Sequence, residues 1–218
     1  MNCGNLTIAA SILSGNRSHA AGPGAALTQP GCGTATIVNS RIDGNTGGGV
    51  AGAIYNRGGT LTIVNSTITN NSTLADISLG NTGGIGNSDL GTLTIQNTIL
   101  AGNAGGNCRT TSITSNGHNL SSDASCNLTG PGDLSSVDPL LGPLQDNGGP
   151  TETHALLPGS PAINAVPLAN CTYYHDNNAA TPPVPLDEDQ RGVAAPREAR
   201  AISGRMKTIP RLSSGGRV

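Results

Sequence analysis

The sequence predicts an all-β chain: a right-handed parallel β-helix of about four coils, followed by an irregular C-terminal capping module. Three observations carry this. A template recurs four times, as GNLTIAASILSGN (Gly4 to Asn16), GTATIVNSRIDGN (Gly33 to Asn45), GTLTIVNSTITNN (Gly59 to Asn71) and GTLTIQNTILAGN (Gly91 to Asn103). Its starts are 29, 26 and 32 residues apart, and a motif fixed in phase with elastic spacing marks a stacked repeat. Finally, the chain has 32 Gly, no Phe, no Trp and 11% charged residues, which suits tight coils better than a thick globular core.

Within each copy the columns separate by chemistry. Leu6, Ala35, Leu61 and Leu93 stand two residues before Ile8, Ile37, Ile63 and Ile95, with Thr7, Thr36, Thr62 and Thr94 between them. Apolar residues two apart around a polar β-branched residue make a half-buried strand. A second apolar position follows at Leu13, Ile42, Ile68 and Leu100, and each copy closes on Asn16, Asn45, Asn71 or Asn103. One copy alone buries only a few aliphatic side chains, about 1.5–3 kcal/mol each, against ~1–2 kcal/mol of backbone entropy per ordered residue. Stacking copies ~4.8 Å apart lays isoleucine on isoleucine and lets the closing asparagines form a hydrogen-bonded ladder.

Between the copies, Arg17 to Cys32 is rich in small residues and reads as a looser segment. GGVAGAIYNRG (Gly48 to Gly58) and TGGIGNSDLG (Thr82 to Gly91) read as a third strand and a turn, carrying Ile54 and Ile85. The insertion Ser72 to Asn81 is expected to bulge as a loop. The coils are expected to span residues 1–107. Because no capping segment precedes Gly4, Met1 is expected to be an internal or truncated start, with an export signal and further coils lost.

Residues 108–192 are expected to form the irregular module. Cys108 and Cys126, 18 residues apart, suit a disulfide-closed loop worth ~3 kcal/mol in the chain-entropy model; the alternative is two thiols. Cys3, Cys32 and Cys171 have no evident partners, and a bridge would place the protein in an oxidising compartment. The Pro- and Gly-rich stretch Gly130 to Val166 reads as extended segments and turns folded over the last coil.

The repeats, the GGAIYN-like segments, NGHNLSSDASC, VDPLLGPLQDNGGPTETHALLPGSPAINA, Cys171 and DQRG (Asp189 to Gly192) resemble bacterial β-helix surface proteins ending in a choice-of-anchor Q domain. More distantly the repeats resemble those of chlamydial polymorphic outer membrane proteins. The resemblance covers Gly4 to about Val193. It implies a pectin-lyase-like solenoid, exported to the cell surface or beyond, and implies no enzymatic activity. Beyond DQRG the chain departs from that pattern. Ala201-Ile202-Ser203-Gly204-Arg205-Met206-Lys207 can be encoded by codons that spell CDIGAYE one nucleotide out of register. Residues 193–218 are therefore expected to be out-of-frame or disordered, leaving Cys171 without its family partner.

Composition excludes some functions and weakens others. A net charge of −2 makes no electrostatic case for nucleic acid or an anionic membrane, and no apolar run reaches the ~18 residues that span a bilayer. Lyases and hydrolases built on β-helices need clustered carboxylates. Residues 1–103 have no Glu, and their only acids, Asp43, Asp76 and Asp89, fall at different phases of the repeat, as do Arg17, Arg41 and Arg57. No catalytic residue, cofactor or metal ligand is assigned. His154 is expected to hold a turn through a backbone hydrogen bond, and His118 to lie in the Cys108–Cys126 loop. Asp187, Glu188 and Asp189 make calcium conceivable, although a solvated turn with Asp189 paired to Arg191 explains them more simply. Tyr173, Tyr174 and His175 form a possible contact patch. Sequons such as those at Asn65 and Asn71 follow from an Asn/Thr-rich repeat. The expected role is a monomeric, non-catalytic surface stalk or adhesin-like segment that contacts a glycan or a protein. The alternative is a fragment of a carbohydrate-active β-helix enzyme.

Overall fold

A computed structural model of the chain describes residues 4–19, 22–110, 112–173, 184–185, 189 and 191. The described residues are all-β, with two short 3-10 turns. The first copy contributes β1 (Asn5–Ala9), β2 (Ile12–Ser14) and β3 (Leu27–Gln29). The second contributes β4 (Thr34–Val38), β5 (Arg41–Asp43), β6 (Thr46–Gly47) and β7 (Ile54–Asn56). The third follows with β8 (Thr60–Val64), β9 (Thr67–Thr69), β10 (Ser72–Thr73) and β11 (Ile85–Asn87), and the fourth with β12 (Thr92–Gln96), β13 (Ile99–Ala101) and β14 (Cys108–Arg109). Then come β15 (Thr114–Ser115), β16 (Leu120–Ser121), β17 (Leu134–Ser135), β18 (Leu141–Gln145), β19 (Thr153–Leu156), β20 (Thr172–Tyr173) and β21 (Val184–Pro185).

Equivalent strands pair in parallel. The long strands form a sheet in the order β1-β4-β8-β12-β15, the strands after the first bend form β17-β16-β13-β9-β5-β2, and the third strands form β14-β11-β7-β3. Register follows the template: Ile8 pairs Ile37, Ile37 pairs Ile63, and Ile63 pairs Ile95. These isoleucines share one apolar cluster with Ala35, Leu61 and Leu93, with Ile42, Ile68 and Leu100 of the second sheet, and with Ile54 and Ile85 of the third. A narrow interior lined by short aliphatic side chains from three sheets explains how the chain does without Phe and Trp. β1 is the outer strand of its sheet, so Leu6 is 42% exposed where Leu61 is fully covered.

Local chemistry sets the corners. Ala10, Asn39, Asn65 and Asn97, equivalent in the four copies, take φ of 46°, 50°, 50° and 51°, the left-handed region that asparagine tolerates better than most residues. At two of the opening glycines a β-carbon would meet a neighbouring amide side chain: Gln29 at Gly59, and the preceding Asn87 at Gly91. Asn56 Nδ2 donates to Gly59 O at 3.0 Å, and Asn87 Nδ2 to Gly91 O at 2.9 Å. A Cβ at Gly91 would lie 2.5 Å from Asn87 Oδ1.

The parallel pairing runs past Asn107, the boundary expected for the coils. β14, β15 and β16 extend the three sheets in turn, and β17 pairs β16. The stretch Gly130 to Val166, expected to fold over the last copy and cover its strand edge, adds β17 beside β16 and also lies along the outer face of the second sheet. Ile99, Ala101 and Leu120 of that sheet form a second apolar cluster with Ala162, Val166 and Cys171, against which Leu141 and Leu156 pack. The reason is visible in β13. Its outward positions carry Ile99 and Ala101 where β9 has Thr67 and Thr69, and a sheet apolar on both faces needs a second cover. β18 and β19 form an antiparallel hairpin in this covering layer.

Candidate functional site

The asparagines that close each copy stack along the bend after the second sheet. Asn45 Oδ1 accepts from both the backbone N and Nδ2 of Asn16, each at 2.9 Å. Asn71 Oδ1 accepts the same pair from Asn45 at 2.9 Å, and Asn103 Oδ1 accepts the pair from Asn71 at 3.0 and 2.9 Å. Asn103 Nδ2 passes the chain to Asn107 Oδ1 at 2.8 Å. Each side-chain oxygen thus satisfies a bend amide that no strand partner reaches. A second ladder runs along the first bend, from Ser11 N to Ser40 Oγ, Ser40 N to Ser66 Oγ, and Thr98 N to Asn119 Oδ1.

Asp43, Arg41 and His154 are brought together. Arg41 and Asp43 flank the inward Ile42 on β5, so both point to the outer face, and the C-terminal hairpin covers them: they are 4% and 7% exposed. Arg41 Nη1 lies 2.9 Å from Asp43 Oδ2 without aligning a hydrogen on it, and Arg41 Nε and Asp43 Oδ1 are buried without hydrogen-bond partners. From β19, His154 Nδ1 contacts Gly142 O at 2.9 Å. This is the backbone bond expected of it, and because a carbonyl only accepts, Nδ1 carries the proton. His154 Nε2 faces Asp43 Oδ2 at 3.6 Å, a meeting the sequence did not reveal. Asp43 and His154 line an open cleft of about 590 Å³ with Thr69, Asn70, Ser122 and Asp138. The cleft joins a carboxylate and an imidazole, a pair capable of proton transfer.

A second groove, of about 350 Å³, lies outside the third sheet. On β7, Ile54 and Asn56 are buried and Tyr55 between them is half-buried, so its ring stands on the outer face. Tyr55 pairs Gly86 in the next copy, and a β-carbon there would approach Tyr55 Cδ2 to 3.0 Å; the glycine lets the ring lie across it. Asp89 and Arg109 line the same groove, with Ser88 and Thr110. Arg109 is fixed by the insertion at Ser72 to Asn81, where Arg109 Nη1 donates to Asn81 Oδ1 at 2.7 Å and Asn81 Nδ2 donates to Asp76 O at 2.8 Å. Asp76 caps the 3-10 turn Ile77–Leu79, and Ser78, through its side chain first and its N–H second, holds the carboxyl below its ordinary pKa. The insertion is a surface loop with Leu74, Ile77 and Leu79 exposed.

The other expected residues fall as follows. Cys108 and Cys126 form a disulfide, with Cα atoms 4.9 Å apart. Cys32, whose pairing the sequence leaves open, is also disulfide-bonded. Cys171 keeps a buried thiol 3.6 Å from Pro167 O. His118 lies within the Cys108–Cys126 loop and turns to the covering layer, its Nδ1 3.1 Å from Ala165 O. Asp189 and Arg191 pair, with Nε donating to Oδ2 at 2.8 Å, but they are buried and tied to Asn147 O rather than solvated. Tyr173 is described by its backbone in β20 alone. Tyr174, His175, Asp187, Glu188 and residues 193–218 lie outside the described residues.

Among the described residues no three of His, Cys, Asp and Glu converge as a metal site, and no helix is long and apolar enough to cross a membrane. No family model, no curated protein and no solved structure matches the chain.

Proposed function

We propose that the chain is part of a right-handed parallel β-helix of the choice-of-anchor Q type, an exported and rigid surface stalk whose flat sheets contact a glycan or another protein. The observation that supports this most is the unbroken register of like residues from Ile8 to Ile95. It gives a surface of evenly spaced outward side chains rather than one enclosed pocket. The Cys108–Cys126 disulfide supports an oxidising compartment.

The second reading, a fragment of a carbohydrate-active enzyme, is favoured by the Asp43–His154 cleft alone. A panel of soluble polysaccharides incubated with the protein, with and without calcium, separates the two. The stalk reading expects retention of a polymer or a protein ligand with no new reducing ends or unsaturated products. Turnover of any polymer overturns it in favour of the enzyme.

A further inference from the structure

We infer that the groove beside Tyr55 is a subsite for one ring of a neutral glycan, an inference that rests on the surface-contact reading above and gives it an address. Three features of the groove converge. Tyr55 presents an aromatic ring held half-buried over Gly86, and such a platform suits the apolar face of a sugar ring. Arg109 and Asp89 line the same space, so a fixed cation and a carboxylate flank the ring and offer donors and acceptors to adjacent hydroxyls. A guanidinium has five N–H groups; Asn81 occupies one of them and sets the direction of the others.

The volume, about 350 Å³, is at the small end of ligand pockets, enough for one ring of a chain that continues along the face. The mixed signs select the ligand. The two opposite charges offset each other, so the groove has no net charge to draw a uronate or sulfate, whereas neutral hydroxyls can both donate to a carboxylate and accept from a guanidinium.

The test is titration of the whole chain with cellohexaose, xylohexaose, maltohexaose, chitohexaose and a hexagalacturonate, followed by NMR. At least one neutral hexasaccharide is expected to bind, with Tyr55→Ala weakening it tenfold or more, Tyr55→Phe keeping it within threefold and Arg109→Gln weakening it several-fold. Thr7→Ala, exposed on the first sheet away from the groove, should leave it unchanged. Binding that survives Tyr55→Ala overturns the groove and leaves the surface-contact reading standing. Preference for hexagalacturonate overturns the neutral assignment. No binding of any sugar overturns the groove and removes the glycan half of the reading, leaving contact with a protein.

Discussion

His154 Nε2 stands 3.6 Å from Asp43 Oδ2, so the hairpin of the covering layer reaches back to the second copy of the repeat. Asp43 already shares its buried surroundings with Arg41. Removing one member of such a group leaves an uncompensated charge, whereas replacing both by apolar residues of similar size removes the desolvation penalty as well. Asp43→Ala should therefore destabilise the protein by about 3–5 kcal/mol. The double variant Arg41→Met/Asp43→Leu should match the parent or exceed it. Urea unfolding of the three proteins checks this, and equal losses in the single and double variants would contradict the assignment.

The asparagine ladder makes a position-dependent prediction. Asn71 Oδ1 accepts two hydrogen bonds from the buried Asn45, and an orphaned buried donor costs about 1–3 kcal/mol. Asn71→Ala should lower stability by at least about 2 kcal/mol, with Asn16→Ala, exposed at the end of the ladder, costing less than about 1 kcal/mol. Thermal unfolding of both variants measures the contrast; equal shifts would mean that the ladder is decoration.

Much of the fold was legible because the repeat writes the same instruction four times. Glycine, the Leu/Ile pair and the closing asparagine each recur in phase, and register followed. Past Asn107 the strands that prolong the parallel sheets, β14 to β17, shorten to two residues, too few to show a period, so the extra pairing was hidden. The covering layer had left a signal: Ile99 and Ala101 flank Leu100 where polar residues flank Ile42 and Ile68. The meeting of Asp43 and His154 had none, because it depends on how two distant segments dock. Tyr55 and Arg109 were equally silent, since their approach follows from neighbouring positions in stacked copies rather than from spacing along the chain.

The Cys108–Cys126 bridge closes an 18-residue separation, and both cysteines belong to the first apolar cluster. Replacing both by serine should lower stability by ~3 kcal/mol from the lost constraint, with a further loss from hydroxyls in an apolar site. Comparing that variant with Cys108→Ala/Cys126→Ala separates the two contributions. Identical melting points for the parent and both variants would contradict a structural bridge.

Asp76 supplies a pH dependence with a definite sign. Its folded carboxyl is held below the ordinary value of 3.8, so its contribution is present above that value and is lost as the pH falls through the lower folded pKa. The Ser78 amide, which donates to Asp76 Oδ1 at 2.9 Å, should shift in an acid NMR titration with a midpoint below 3.8. The same amide in Asp76→Asn should not move; movement in both would assign the transition to another group.

In a parallel β-helix the copies stack along one axis, which Thr7, Thr36, Thr62, Thr94 and Thr114 would mark on the outer face through successive registered pairs. Spin labels at Thr7 and Thr114, both exposed, are separated by four strand spacings of ~4.8 Å, or roughly 19 Å before the label arms are counted. A pulsed electron–electron distance measurement in a Cys171→Ser background should give one narrow peak near roughly 20–25 Å. A broad distribution, or a peak beyond roughly 35 Å, would mean that the strands do not pile on a common axis.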